Sequence, residues 1–235
     1  QTMPQPCAYF RGQFMNPEDA KIGIMTHAFH YGTATFGGLN ATWDEEKEQF
    51  CIFRIQDHYR RQLAACKMLR IKLPYSADDM AAITVEAVRR TGFRQNVYIR
   101  PVAYKSSEAL GVRLHDLDAD WTVIATVLPP FTSKSGLKCM TSSWVRTSDN
   151  QIPTHGKICG GYVNGALAKT EAQLVGFDDA IMLTAQGHVS EGAVTNTFLL
   201  LKDRLTTPPP ADGILLGITR DTVMHLAGKE LGVEV

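Results

Sequence analysis

The segment PPFTSKSG, residues 129–136, constrains this chain's fold more than any other stretch: two prolines, small polar residues and a glycine in succession support neither a strand ladder nor a helix. It predicts an interdomain linker, with one domain over residues 1–128 and a second over 137–235. Each part must then bury its own core, which a hydrophobic content of 44% allows. Strand and helix patterns occur on both sides of the linker.

In the first part, CAYFRGQFM (7–15) reads as a hairpin turning at Arg11-Gly12. A β-favouring run over 21–43 is interrupted by Gly32, Gly37 and Gly38, where bends or bulges are expected. QFCIF (49–53) reads as a strand, and Leu63, Cys66 and Leu69 fall at helical spacing within 56–69. Ser76 is the expected N-cap of a second helix with Met80, Ile83, Ala87 and Val88 as its buried stripe, stopped at Thr91-Gly92. NVYIRPVAY (96–104) and WTVIATVL (121–128) are strands by composition. The second part opens with an expected strand over 137–145, followed by a helix over 162–175 that ends at Gly176. Hairpins are expected over 180–192, turning at Gln186-Gly187, and over 196–208, turning near Asp203. A last helix runs from Thr219 to Leu231 with Val223, Leu226 and Leu231 on its apolar side, and GVEV then reads into a strand.

Twenty-four basic residues against 24 acidic ones leave no net field to recruit nucleic acid or an anionic membrane. Partners are expected to be small molecules or copies of the chain itself. Cys7, Cys51, Cys66, Cys139 and Cys159 form an odd, scattered set without a CxxC pair, which favours reduced thiols in a cytoplasm. Neither an export signal nor a membrane-spanning run is legible. His27 and His30 have no third ligand at metal spacing, so no metal is expected.

Chemistry concentrates in HGKICGGYVNG, HVSEGAVTN and GITR. Lys157, set among glycines and small residues, can approach an aldehyde cofactor and form a Schiff base, the way pyridoxal 5′-phosphate is held. Glu191 is the candidate to keep the pyridine nitrogen of that cofactor protonated, and Tyr162 the candidate for its phenolic oxygen. Gly217, Ile218 and Thr219 open a helix, whose free N–H groups and positive dipole end suit a phosphate. Arg61 belongs either to a solvated helix face with Arg60 or to a phosphate clamp, for which its planar fork is suited. Tyr98 and Arg100 share one face of a strand, which is either wet surface or a substrate carboxylate site.

Taken together, HAFHYGTATFGG (27–38), FRIQDHYRR (53–61), VYIRP (97–101), SSWVR (142–146), IPTHGKICGGYVNGALAKTEA (152–172), GFDDAIML (176–183), VSEGAVTNTF (189–198) and TPPPADGILLGITRDTV (207–223) resemble the branched-chain aminotransferase family of fold-type IV pyridoxal-phosphate enzymes. The resemblance spans nearly the whole chain, in the family's order. It implies that Lys157 is the Schiff-base lysine and proton shuttle, with Glu191 at the ring nitrogen and Tyr162 at the ring oxygen. Arg61, Ile218 and Thr219 are implied phosphate contacts. Tyr98 and Arg100 are implied to face the substrate carboxylates, while Phe36 and Tyr31 are implied pocket-wall positions, Tyr31 presented to a neighbouring subunit. The implied fold is a small α/β domain joined to a larger cofactor-binding domain with a β-barrel-like core, assembled as a homodimer or larger.

Three departures stand against the family pattern. Gly37 replaces the usual glutamate, and the linker is shorter and less aromatic. The family's C-terminal segment, with another phosphate-binding threonine and a turn at the substrate carboxylate, has no counterpart in these 235 residues, so the large domain is expected to be incomplete. The implied reaction moves the amino group of a branched-chain or other small apolar L-amino acid to 2-oxoglutarate. Alternatives on the same fold are a D-amino acid or (R)-amine transaminase, an aminodeoxychorismate lyase, or a truncated non-catalytic paralogue.

Overall fold

A computed structural model describes residues 3–129 and 136–235. The chain separates into two compact units, residues 1–131 and 132–235. The expected linker lies outside the described residues apart from its ends, Pro129 and Gly136.

Among the described residues, unit 1 contains a seven-stranded sheet flanked by two long helices. β1 (Cys7–Phe10) and β2 (Gln13–Met15) form the expected hairpin, with Arg11 and Gly12 both at positive φ in its turn. β3 (Ala34–Phe36), β4 (Leu39–Asp44) and β5 (Gln49–Ile52) follow, then β6 (Val97–Lys105) and β7 (Ala119–Thr126). The strand order is β2-β1-β7-β6-β4-β5, with β3 also paired to β6 and all pairs antiparallel. β6 is therefore central, and its alternating burial turns Tyr98 and Arg100 to one face while Val97, Ile99 and Pro101 are buried.

The helices α2 (Ile55–Met68) and α3 (Ala77–Thr91) pack on each other, and α3 also packs on β1 and β7. The start of α3 is fixed by a capping box between Ser76 and Asp79, and its end by Gly92 in the left-handed region at φ 65°. Its buried side consists of Met80, Ala81, Thr84, Ala87, Val88 and Thr91, while Ile83 is only half-buried. Trp121, fully buried, packs its ring against Tyr9, Tyr59 and Tyr75 and ties this helical layer to the sheet.

The β-favouring run over 21–43 does not begin as a strand: His27–Tyr31 is a short helix, α1. Gly32 ends it in the left-handed region, and the buried His27 ring bonds Thr33 Oγ1 at 2.8 Å and the Gly111 carbonyl at 3.0 Å. Those bonds override an aromatic-rich local preference for strand. The bend at Gly37-Gly38 separates β3 from β4 as expected. A Cβ at Gly37 would lie 2.7 Å from Pro101 Cγ, so the family's glutamate cannot enter this backbone unless the rigid proline ring shifts. Gly37→Ala is expected to cost about 1–3 kcal/mol of stability through overpacking, measured by urea unfolding.

Unit 2 contains β8 (Cys139–Thr141), α4 (Tyr162–Leu174), β9 (Asp179–Leu183), β10 (Val189–Gly192), the hairpin β11 (Leu199–Leu201) and β12 (Arg204–Thr206), and α5 (Ile218–Leu231). β8 runs parallel to β9, β10 runs antiparallel to it, and Gly187 takes φ 84° in the connecting turn. Ala168 and Ala172 of α4 pack on Ala180 and Met182 of β9. Here α4 approaches so closely that a Cβ on Gly165 would sit 2.2 Å from the Ala193 carbonyl oxygen.

Three expectations for this unit are corrected. The strand expected over 137–145 is only three residues long, because the Ser142 and Ser143 hydroxyls both turn to Glu171. Of the apolar stripe expected on α5, Leu226 and Leu231 are exposed and Val223 half-buried; the buried residue is Ala227. The strand expected after α5 does not form, since Gly232 turns left-handed and the Val233 N–H returns to the Ala227 carbonyl, closing the helix instead.

Candidate active site

The segment that carries Lys157 is shaped before it reaches the lysine. Asp149 Oδ1 accepts from both the backbone N–H and the hydroxyl of Thr154, at 2.7 and 2.6 Å, folding residues 149–154 into a compact loop. Ile158 is buried and extended, and a 3-10 turn over Cys159–Gly161 leads directly into α4. Lys157 and Tyr162 therefore stand at the two ends of a short bend, and Lys157 Nζ donates to the Tyr162 hydroxyl at 2.5 Å. Lys157 Nζ also lies 4.7 Å from the centre of the Tyr162 ring.

Glu191 is aimed by an irregularity. The pairing of β9 with β10 shifts register between Val189 and Gly192, and the bulge leaves Ser190, Glu191, Gly192 and Ala193 all buried in succession. Glu191 Oε1 pairs with Arg146 Nη2 at 2.7 Å, and Oε2 accepts from Asn196 Nδ2 at 2.9 Å and from the Leu215 N–H at 3.0 Å. Arg146 is itself fixed by a bond from Nε to the Gly213 carbonyl at 3.0 Å. An ionised carboxylate offers about four lone-pair sites. Three donors occupy this one, leaving room on Oε1 for one more N–H, as a protonated pyridine nitrogen requires.

Burial pushes the Glu191 carboxyl above its ordinary range, against Arg146, the Leu215 N–H, Lys157 and Asn196, which all favour the charged form. A carboxyl raised on folding gives its full contribution below the unfolded value, about 4.5, and loses it as pH rises through the folded value. The cofactor-free protein is thus expected to lose stability across that interval. Urea unfolding of Glu191→Gln at several pH values should show a shallower slope there.

Gly217 caps α5 without any side-chain hydrogen bond, leaving the first-turn N–H groups of Ile218 and Thr219 without a side-chain cap and suited to a phosphate. Arg220 of the same motif points elsewhere, to Thr207 Oγ1 and the Pro208 carbonyl at 3.1 Å each. The residues of unit 2 thus fit a pyridoxal phosphate on three counts: an amine beside a phenol, a buried carboxylate with acceptor capacity to spare, and a helix start with no side-chain cap.

In unit 1, three of the expected substrate residues meet. Arg100 donates through Nε and Nη2 to the Tyr98 hydroxyl at 2.9 and 2.5 Å, and its guanidinium carbon lies 4.7 Å from the centre of the Phe36 ring. Tyr31 lies at the end of α1, its ring 4.7 Å from that of His27 and its hydroxyl accepting from the Gly111 N–H at 3.0 Å. Arg61 is half-buried on α2. His30 bonds the Ile24 carbonyl, and among the described residues no group of three or more His, Cys, Asp and Glu side chains is placed to hold a metal. Two residues of the site carry no expected role from sequence. Arg146 and Asn196 lie within SSWVR and VSEGAVTNTF, but their importance comes from contacts with Glu191 that spacing does not reveal.

The family model for amino-transferase class IV matches residues 47–235. A probable branched-chain-amino-acid aminotransferase of Aquifex aeolicus is 46% identical over 233 residues, covering 97% of this chain and 74% of that protein. Among solved structures, the branched-chain aminotransferase of Thermoproteus uzoniensis with norvaline superposes with a TM-score of 0.93 at 36% identity, covering 97% of this chain and 76% of that one. The branched-chain amino acid aminotransferase of Thermobaculum terrenum in its PLP form gives 0.91 at 30% identity, covering 100% of this chain and 76% of that one. The mixed α/β fold, the site within unit 2 and these likenesses agree: the chain belongs to the class IV aminotransferases.

Proposed function

We propose that the chain moves the amino group of a branched-chain or other small apolar L-amino acid to 2-oxoglutarate, with pyridoxal 5′-phosphate as its cofactor, working in the cytoplasm as a homodimer or larger homo-oligomer. The observation that carries this reading is the contact of Lys157 with Tyr162, in the same unit as a buried carboxylate that keeps one acceptor site open. When bound, the cofactor supplies an electron sink for the pair left on the substrate α-carbon. Lys157 Nζ is the base that removes the α-proton, and the Tyr162 hydroxyl orients that amine. Glu191, held by Arg146, Asn196 and Leu215, keeps a negative charge at the ring-nitrogen position. Ile218 and Thr219 at the helix start would hold the phosphate through their N–H groups; for Arg61 the same role rests on the family resemblance of its segment.

The substrate class follows from the relatives, which are named for branched-chain amino acids, and from the chemistry of unit 1. Phe36 gives an apolar wall and Arg100 a cation beside it, so one surface suits both an aliphatic side chain and the second carboxylate of 2-oxoglutarate. Assembly with a second copy is supported by an exposed apolar patch near Tyr31. Ile24, Phe29, Leu110 and Val112 are all more than 60% exposed, and the Thr26–Glu108 bridge joins the two stretches that carry them. The cytoplasmic setting is supported by the odd, scattered set of five cysteines without a CxxC pair.

The purified protein should be yellow, change its absorbance on addition of L-leucine or L-valine, and form glutamate from 2-oxoglutarate. A spectral response to D-amino acids or (R)-amines in place of L-leucine would refute the substrate assignment, as would pyruvate release from aminodeoxychorismate.

A further inference from the structure

We propose that Asn196 is a positioning residue that joins the ring-nitrogen subsite to the phosphate subsite, an inference that rests on the cofactor assignment above. Its side-chain amide nitrogen donates one N–H to Glu191 Oε2 at 2.9 Å and the other to the Leu215 carbonyl at 2.8 Å. Both neighbours are acceptors, so the amide can sit only one way round. Its oxygen then points at Gly217, where a Cβ would lie 2.0 Å away. The glycine that caps α5 is thus required by the asparagine as much as by any phosphate.

Leu215 completes the connection. Its N–H donates to Glu191 Oε2 at 3.0 Å, while its carbonyl accepts from Asn196 and from the Gly217 N–H at 2.9 Å. The backbone leading into the helix is therefore gripped on both sides, once by the carboxylate and once by the amide. Displacing Glu191 moves Leu215 and Gly217 with it, and with them the N–H groups of Ile218 and Thr219. Sequence alone conceals this, because Asn196, Leu215 and Gly217 come from separate segments.

The test compares two ligands on the full protein freed of cofactor: pyridoxal 5′-phosphate and pyridoxal, which lacks the phosphate. The dissociation constant for pyridoxal divided by that for pyridoxal 5′-phosphate measures what the phosphate subsite contributes, independently of turnover. Asn196→Ala is expected to lower that ratio by about tenfold, the size of coupling usual between residues of one hydrogen-bonded network. Glu191→Gln should shift the ratio in the wild-type background and shift it less in the Asn196→Ala background, where the Leu215 N–H is the remaining contact between the two subsites. If Asn196→Ala does not fold, Asn196→Ser, whose short side chain has a single donor and cannot hold both Glu191 and Leu215, should lower the ratio in its place. Equal weakening of both ligands by whichever of the two variants folds would make Asn196 a structural residue only and overturn the coupling. Wild-type protein that binds the two ligands equally would instead overturn the cofactor assignment, and the coupling with it.

Discussion

Lys157→Ala is expected to lower transamination by at least about 10³-fold, the scale of a lost general base, while leaving the fold intact. The amine it removes is half-buried at the end of a short bend. The Tyr162 hydroxyl and ring that it touches remain anchored by α4. The variant should therefore unfold close to the wild-type urea midpoint and bind pyridoxal phosphate without the absorbance of the covalent adduct. Added methylamine should restore part of the rate, because it returns an amine to the space left by the side chain. A rate within tenfold of wild type would remove Lys157 from the mechanism.

Arg146→Met is expected to destabilise the protein by about 3–5 kcal/mol, the usual consequence of leaving one member of a buried ion pair uncompensated. The two side chains are only 13% and 5% exposed, so water cannot replace the lost guanidinium. The bond from Arg146 to the Gly213 carbonyl is lost as well. Adding Glu191→Gln should recover part of the loss by removing the stranded charge, and the double-mutant cycle measures their interaction. Urea unfolding of the four proteins checks this, and additive losses would show that the pair is not coupled.

How much of the molecule was legible in the sequence depended on how far each determinant reached. The third helix was readable because Ser76, Asp79 and Gly92 form its boundaries within its own segment. The turns at Arg11-Gly12 and Gln186-Gly187 were readable for the same reason, each with glycine at positive φ. The helix at His27–Tyr31 was not, since His27 is fixed by Gly111, 84 positions away. The strand near Cys139 was overestimated because Glu171, which captures the two serines, lies far along the chain. The site divides similarly. Lys157, Tyr162 and Glu191 stand out by residue type and setting, whereas Arg146 and Asn196 matter only through what they touch.

The five-residue separation of Lys157 and Tyr162 has a kinetic consequence for how the site is built. Closing so short a loop costs little chain entropy, so the amine and phenol can come together as soon as the first turn of α4 nucleates. Glu191 and Leu215 are 24 residues apart and must wait for the β9–β10 pairing and the approach of α5. The reactive pair thus depends on a contact local in sequence, and the electrostatic frame around it on contacts of longer range.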